Sequence, residues 1–120
     1  MLCVGIDLIE IYRIKRSVDR HKFLERILGE NEYLQLKKRG FPLESVAANF
    51  CAKEAFIKCI GKLYKGFRYR DIELLRDDEG RPYINLNGAA QKIYKESGYK
   101  FSVSVTHTKE YASCVIIMTD

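Results

Sequence analysis

The chain has 120 residues, 47% apolar and 31% charged, which suits one soluble domain with its own hydrophobic core over residues 1–120. No apolar run approaches the roughly 20 residues of a membrane span, and the start Met1-Leu2-Cys3-Val4-Gly5-Ile6-Asp7 lacks the basic segment and uninterrupted apolar stretch of a signal peptide. A formal charge of +5 points to an acidic or phosphorylated partner without specifying nucleic acid.

Residues Leu2 to Ile9 are apolar and rich in Val and Ile, and read as a buried strand. Asp7 interrupts it, either as the cap of a helix beginning near Glu10 or as a ligand. Ile11 to Leu28 reads as one or two helices carrying Arg13, Lys15, Arg16, Arg20, Lys22 and Arg26. Arg13, Arg16 and Arg20 share a face. That face is either solvated surface or, with Phe23 and Leu24 as apolar anchors, a dock for an acidic helix. Glu30 to Arg39 continues as a polar helix stopped at Gly40.

Leu43 to Ile60 is the central helix. Leu43, Val46, Ala47, Phe50, Ile57 and Gly61 fall on one stripe at 100° per residue, and Glu54 lands inside it. A carboxylate aimed at a core needs a partner, because stripping water from the ion costs several kcal/mol, on the order of its pairing energy. Lys58 at i+4 offers an ordinary helix ion pair. Asp7 and Glu54 together fit a shared hard cation: magnesium takes oxygen ligands, uses one or two carboxylates, and fills its other positions with water and phosphate. Two acids suit that ion and not zinc, which favours His and Cys. The four cysteines Cys3, Cys51, Cys59 and Cys114 form no CxxC pair and lie in apolar runs, as reduced cysteines of a cytoplasmic protein would.

Beyond the helix, the stretch from Gly61 to Arg70 mixes bases, aromatics and glycine in a loop able to stack a nucleobase. Asp71 to Leu75 and Pro82 to Leu86 flank a turn at Asp77-Asp78-Glu79-Gly80 and read as a hairpin. Asn87 is placed to cap a helix from Gly88 to Glu96. Phe101 to Thr106 and Tyr111 to Met118 form a second antiparallel pair, with strict alternation in the first strand. His107 stands at its turn, as decoration or as a ligand contact. No GxSxG elbow, Walker loop or GxGxxG occurs, so nucleophilic triads and dinucleotide folds have no support.

Gly5-Ile6-Asp7 with Glu10 and Arg13-Ile14, Phe50-Cys51-Ala52-Lys53-Glu54-Ala55-Phe56-Ile57-Lys58, Asp71-Ile72-Glu73, Gly80-Arg81-Pro82 and Ser104-Val105-Thr106-His107-Thr108 resemble the holo-[acyl-carrier-protein] synthase family of 4′-phosphopantetheinyl transferases. The resemblance covers nearly the whole chain in order. It implies an α+β fold with an antiparallel sheet packed on a long central helix. It also implies transfer of 4′-phosphopantetheine from coenzyme A to a serine of an acidic acyl carrier protein, in fatty acid biosynthesis. By the same resemblance Asp7 and Glu54 bind Mg2+, and Glu54, Lys58 and His107 are catalytic. Lys53, Lys58, Gly61, Lys62, Thr106 and His107 contact coenzyme A, and Arg13, Arg20, Phe23 and Arg26 receive the carrier protein. The working unit it implies is a cytoplasmic homotrimer with shared sites, engaging neither membrane nor nucleic acid. Two departures stand out: Ala48-Asn49-Phe50 replaces the family's usual Gly-Arg-Phe, and Gly61-Lys62-Leu63 its Gly-Thr-Gly. Lys38 or Arg39 could compensate for the missing arginine. Two other readings of the residues are a small RNA-binding module built on Tyr64 to Arg70 and a metal-dependent phosphohydrolase.

Overall fold

The computed structural model describes residues 1–20, 22–64 and 66–120. Lys65, in the loop read as a nucleobase platform, lies outside the described residues.

The central helix, here α4 (Leu43–Ile60), holds the molecule together. Its alanines at 47, 48, 52 and 55 are strong helix formers with little bulk, so neighbouring elements approach closely from several sides. Twelve of its eighteen residues are buried. It packs on β1 (Leu2–Glu10) and β5 (Tyr111–Thr119), and also touches β2 (Ile72–Arg76), β4 (Lys100–His107) and α1 (Ile11–Val18). With nearly every face covered, the helix has no single core stripe. That corrects the reading of Glu54 as core-facing: it is half-buried, while the adjacent Lys53 is fully buried.

Three strands form an antiparallel sheet in the order β1-β5-β4. Asp7 of β1 lies opposite Cys114 of the central strand β5. The inner face of β5, Ala112, Cys114, Ile116 and Met118, is buried against the helix. β2 and β3 (Pro82–Leu86) make a separate two-stranded hairpin. The remaining elements are α2 (Phe23–Ile27), α3 (Glu30–Lys38), α5 (Gly88–Ser97) and short 3₁₀ turns at Gly61–Leu63 and Tyr69–Asp71. All four cysteines are free.

Strand β1 lies flush on α4 because of Gly5. A Cβ at that position would collide with the Ala55 carbonyl oxygen and stand 2.6 Å from the Cys59 nitrogen, closer than atoms pack.

Several expectations are corrected. β1 is not buried on both faces: Leu2, Val4, Ile6 and Leu8 are 71, 62, 63 and 63% exposed. The outward residues of β4, by contrast, are the polar Ser102, Ser104 and Thr106, so the uncovered apolar face of the sheet belongs chiefly to β1. Ile11 to Leu28 forms two helices, within the reading of one or two; what is corrected is the shared face, since the break after Val18 removes Arg20 from the face of Arg13. Asp7 does not cap α1. Glu10 holds the cap position without a side-chain bond, and the Ile11 N–H donates to the Glu110 carbonyl at 2.9 Å. Asn87 makes no side-chain cap either; its amide donates instead to Glu73 Oε1 at 2.7 Å.

Candidate active site

Asp7, on the helix-facing side of β1, and Glu54, two-thirds of the way along α4, open into one cleft of about 550 Å³. Lys58, Arg13, Phe23 and Phe50 line the same cleft. Lys58 does not pair with Glu54 at i+4. It crosses to the strand, where Nζ donates to Asp7 Oδ1 at 3.1 Å and to the Ile6 carbonyl at 3.3 Å. The lysine side chain is 57% exposed and the aspartate 15%, so the pair is a screened contact worth under about 1 kcal/mol. Such a lysine can leave the carboxylate for a phosphate at small cost.

Glu54 Oε1 accepts a hydrogen bond from the Tyr69 hydroxyl at 2.7 Å. The ring of Tyr69 packs on Phe50 with centroids 5.6 Å apart, and Phe50 packs on Phe23 at 6.3 Å, making one aromatic wall. Burial, then the bond to Glu54, pushes the Tyr69 hydroxyl up to about 12, so it is a donor at neutral pH. Cys51 Sγ lies 3.9 Å from Asp7 Oδ2. Burial first and Asp7 second push this thiol up to about 12, which keeps it protonated and unreactive.

Lys53 is corrected from a coenzyme A contact to a core residue. Its ammonium has no exposed surface and donates to Glu32 Oε1 at 2.6 Å, to the Tyr69 carbonyl at 3.1 Å and to the Ile72 carbonyl. Glu32 in turn accepts from Gly29 N–H at 2.9 Å, Asn49 Nδ2 at 2.9 Å and Leu74 N–H at 3.1 Å. Burial pushes Glu32 up and Lys53 down, each opposed by the charge of the other. Beside them Glu73 is also buried. Burial pushes its carboxyl up, but donors from Asn87, the Glu32 backbone, Asn85 and Asn31 outweigh this and hold it below the usual range.

A second cavity, about 590 Å³, lies beside the N-terminal half of α4 and is lined by Arg39, Glu44, Arg76, Arg81 and His107 among others. Asn49, read from the sequence as standing in place of an arginine, accepts from Arg76 Nη1 at 3.1 Å. Desolvation and then nearby Arg39 lower Arg76, while Glu32 opposes. A cavity with three guanidinium groups suits phosphate.

The structure therefore brings Asp7, Glu54, Lys58, Arg13 and Phe23 into one cleft and sets His107 in the other cavity. Thr106 is exposed on β4, and Gly61 and Lys62 are exposed beyond the end of α4. Arg20 and Arg26 are exposed outside the acid cleft. Sequence reasoning missed Tyr69, Arg76 and the cavity role of Arg81. The loop aromatics are not a nucleobase platform, since Phe67 is only 4% exposed and Tyr69 turns to Glu54.

Two acids from a strand and a helix with an exposed lysine beside them, and a separate cavity lined by three arginines, are groups whose chemistry suits anionic, phosphorylated ligands. The family model of the 4′-phosphopantetheinyl transferase superfamily matches residues 3–115, and the chain belongs to that superfamily. Within it, the chain is 40% identical over 117 residues to a holo-[acyl-carrier-protein] synthase of Clostridium kluyveri, covering 96% of this chain and 87% of that protein. The fold matches the crystal structure of holo-[acyl-carrier-protein] synthase from Neisseria meningitidis with a TM-score of 0.88 at 28% identity, covering 98% of both chains. It also matches the Bacillus anthracis synthase in complex with CoA (3′,5′-ADP), with a TM-score of 0.78 at 35% identity, covering 97% of this chain and 94% of that one.

Proposed function

We infer that the chain transfers the 4′-phosphopantetheine arm of coenzyme A to a serine of an apo-acyl carrier protein, leaving adenosine 3′,5′-bisphosphate. The observation that carries this reading is the meeting of Asp7, Glu54 and Lys58 in one cleft of a chain 40% identical to a holo-[acyl-carrier-protein] synthase.

The donor set fits magnesium. Two carboxylates supply hard oxygen ligands, Tyr69 engages only Oε1 of Glu54, and the cleft leaves room for water and phosphate oxygens. Asp7 and Glu54 would hold the ion, which when bound neutralises pyrophosphate charge and acidifies water. In the transfer, the serine oxygen forms a bond to the phosphorus bearing pantetheine as the pyrophosphate P–O bond breaks, and the serine proton passes to water held in the cleft beside Glu54. Lys58, 3.1 Å from Asp7 and largely exposed, can move to the leaving phosphate, balance its charge and give it a proton. Arg39, Arg76 and Arg81 with His107 suit the nucleotide end, and Gly61, Lys62 and Thr106 are solvent-accessible contacts for it. Arg39 and Arg76 thus fill the place of the absent family arginine, and Lys38 lies in a neighbouring cavity with Arg39 and Arg76. Arg13 and Phe23 at the mouth of the acid cleft, with exposed Arg20 and Arg26, offer positive charge and an apolar anchor to an acidic carrier protein.

The working unit in this reading is a cytoplasmic homotrimer. Its support is the row Leu2, Val4, Ile6 and Leu8, exposed on an edge strand, a surface that soluble proteins cover. The separation of His107 from the acids agrees with sites completed by a neighbouring chain. Free cysteines agree with a reducing compartment.

Mass spectrometry of apo-acyl carrier protein incubated with coenzyme A, magnesium and the enzyme tests the reaction. A phosphopantetheine adduct on the acceptor serine is expected. Free 4′-phosphopantetheine without an adduct would identify a phosphohydrolase and reject the transferase.

A further inference from the structure

We propose that Tyr69 is the positioning residue for Glu54, fixing which oxygen of that carboxylate faces the metal, and that buried Lys53 holds Tyr69 in place for the task. The inference rests on the reading of Asp7 and Glu54 as metal ligands.

Lys53 and Glu54 are consecutive on α4 and project about 100° apart around the helix axis. One points into the core and the other into the cleft. Tyr69 meets both. Its backbone carbonyl accepts from Lys53 Nζ at 3.1 Å, and its hydroxyl donates to Glu54 Oε1 at 2.7 Å. Lys53 also binds the Ile72 carbonyl, so one ammonium spans the short 3₁₀ turn Tyr69–Asp71 from both sides. The turn is braced elsewhere by Asp71 Oδ2, which accepts from Arg68 N–H at 3.1 Å, and by the Asp71 carbonyl, which accepts from Asn87 N–H at 2.8 Å. Packing of the ring on Phe50 fixes its plane. A phenylalanine would keep that packing, so the hydroxyl accounts for the bond to Glu54 and nothing else.

A carboxylate on a flexible stem otherwise rotates between one-oxygen and two-oxygen ligation. With Oε1 held by Tyr69, Oε2 is the oxygen available to a cation. Outer partners of this kind, when removed, lower metal affinity by about 10–100-fold.

The test is Mn2+ titration by electron paramagnetic resonance on the full chain with coenzyme A present, comparing wild type, Tyr69→Phe and Glu54→Gln. Tyr69→Phe is expected to raise the Mn2+ Kd at least tenfold. It should also raise the magnesium concentration for half-maximal rate by a similar factor, while the melting temperature stays near wild type. A Mn2+ Kd in Tyr69→Phe equal to or tighter than wild type overturns the inference while leaving the metal site standing, provided Glu54→Gln loses Mn2+. A wild type that does not bind Mn2+, or a Glu54→Gln that binds it normally, brings down the two-carboxylate site and this inference with it.

Discussion

Lys53→Met separates a core lysine from a ligand lysine. The ammonium has no exposed surface and gives hydrogen bonds to Glu32 Oε1 at 2.6 Å, the Tyr69 carbonyl at 3.1 Å and the Ile72 carbonyl. Methionine follows the same path and fills most of the volume, so the change isolates the charge. What remains is Glu32, still buried, with only three neutral donors at 2.9, 2.9 and 3.1 Å. Breaking a buried pair by removing one partner costs about 3–5 kcal/mol. The two deserted carbonyls place this case toward the upper end without adding in full, because they belong to the same network. With a urea m-value of about 2 kcal/mol/M, the unfolding midpoint falls by about 2 M. The assay is equilibrium urea unfolding followed by circular dichroism at one protein concentration, with coenzyme A binding measured calorimetrically on the native protein. Adding Glu32→Gln removes the orphan charge and keeps one acceptor oxygen for Leu74 N–H and Asn49 Nδ2 while giving up the one for Gly29 N–H, so it should recover about half of the loss. A Lys53→Met protein within about 1 kcal/mol of wild type that binds coenzyme A tenfold more weakly would refute the reasoning, since a ligand lysine behaves that way.

Arg76→Ala should raise the KM for coenzyme A about tenfold with kcat little changed, the loss of one charge-assisted phosphate contact; an unchanged KM removes Arg76 from the substrate cavity. The carboxyl of Glu73 is depressed below its ordinary value of 4.5, so its stabilisation is present above about pH 4.5 and is lost as the pH falls through the lower folded value. The difference in stability between wild type and Glu73→Gln, about 1–3 kcal/mol at neutral pH, should therefore shrink below pH 4.5 in thermal melts. A difference constant down to pH 3 contradicts the assignment. Ile6→Asp places a charge in the middle of the exposed row on β1 and should convert a trimer to monomers in sedimentation velocity; an unchanged sedimentation coefficient would exclude that row from the interface.

Local pattern carried most of the fold. α4 runs from Leu43 to Ile60 and β3 from Pro82 to Leu86, where periodicity, glycine and proline place them. The pairing of Asp7 with the central helix was also legible, because an acid inside an apolar strand is anomalous on any reading. The choice between Lys53 and Glu54 as the inward residue was not. A stripe defines one face, whereas α4 is covered on nearly all of them, so a 100° error costs nothing in the pattern. β1 misled for a related reason: its exposed positions Leu2, Val4, Ile6 and Leu8 are as apolar as its covered ones, and alternation disappears when both faces are apolar. Lys58 and Asp7 are 51 residues apart, and Tyr69 and Glu54 are 15 apart. Nothing in local spacing announces such contacts. Asn49 reads as a lost arginine in the sequence, and only the fold shows that it holds Arg76.

Gly5 stands two residues before Asp7 on the same side of β1, with the Ala55 carbonyl and Cys59 nitrogen where its side chain would be. Those two atoms belong to the turns of α4 that carry Glu54 and Lys58. The separation between the strand that bears one acid and the helix that bears the other is thus gauged by a hydrogen atom. Any larger substituent would act as a wedge between strand and helix, forcing them apart before it touched Asp7 or Glu54. A small divalent ion of the kind proposed above would have a short reach, so the bore of such a site would be set at a residue that contains no chemistry of its own.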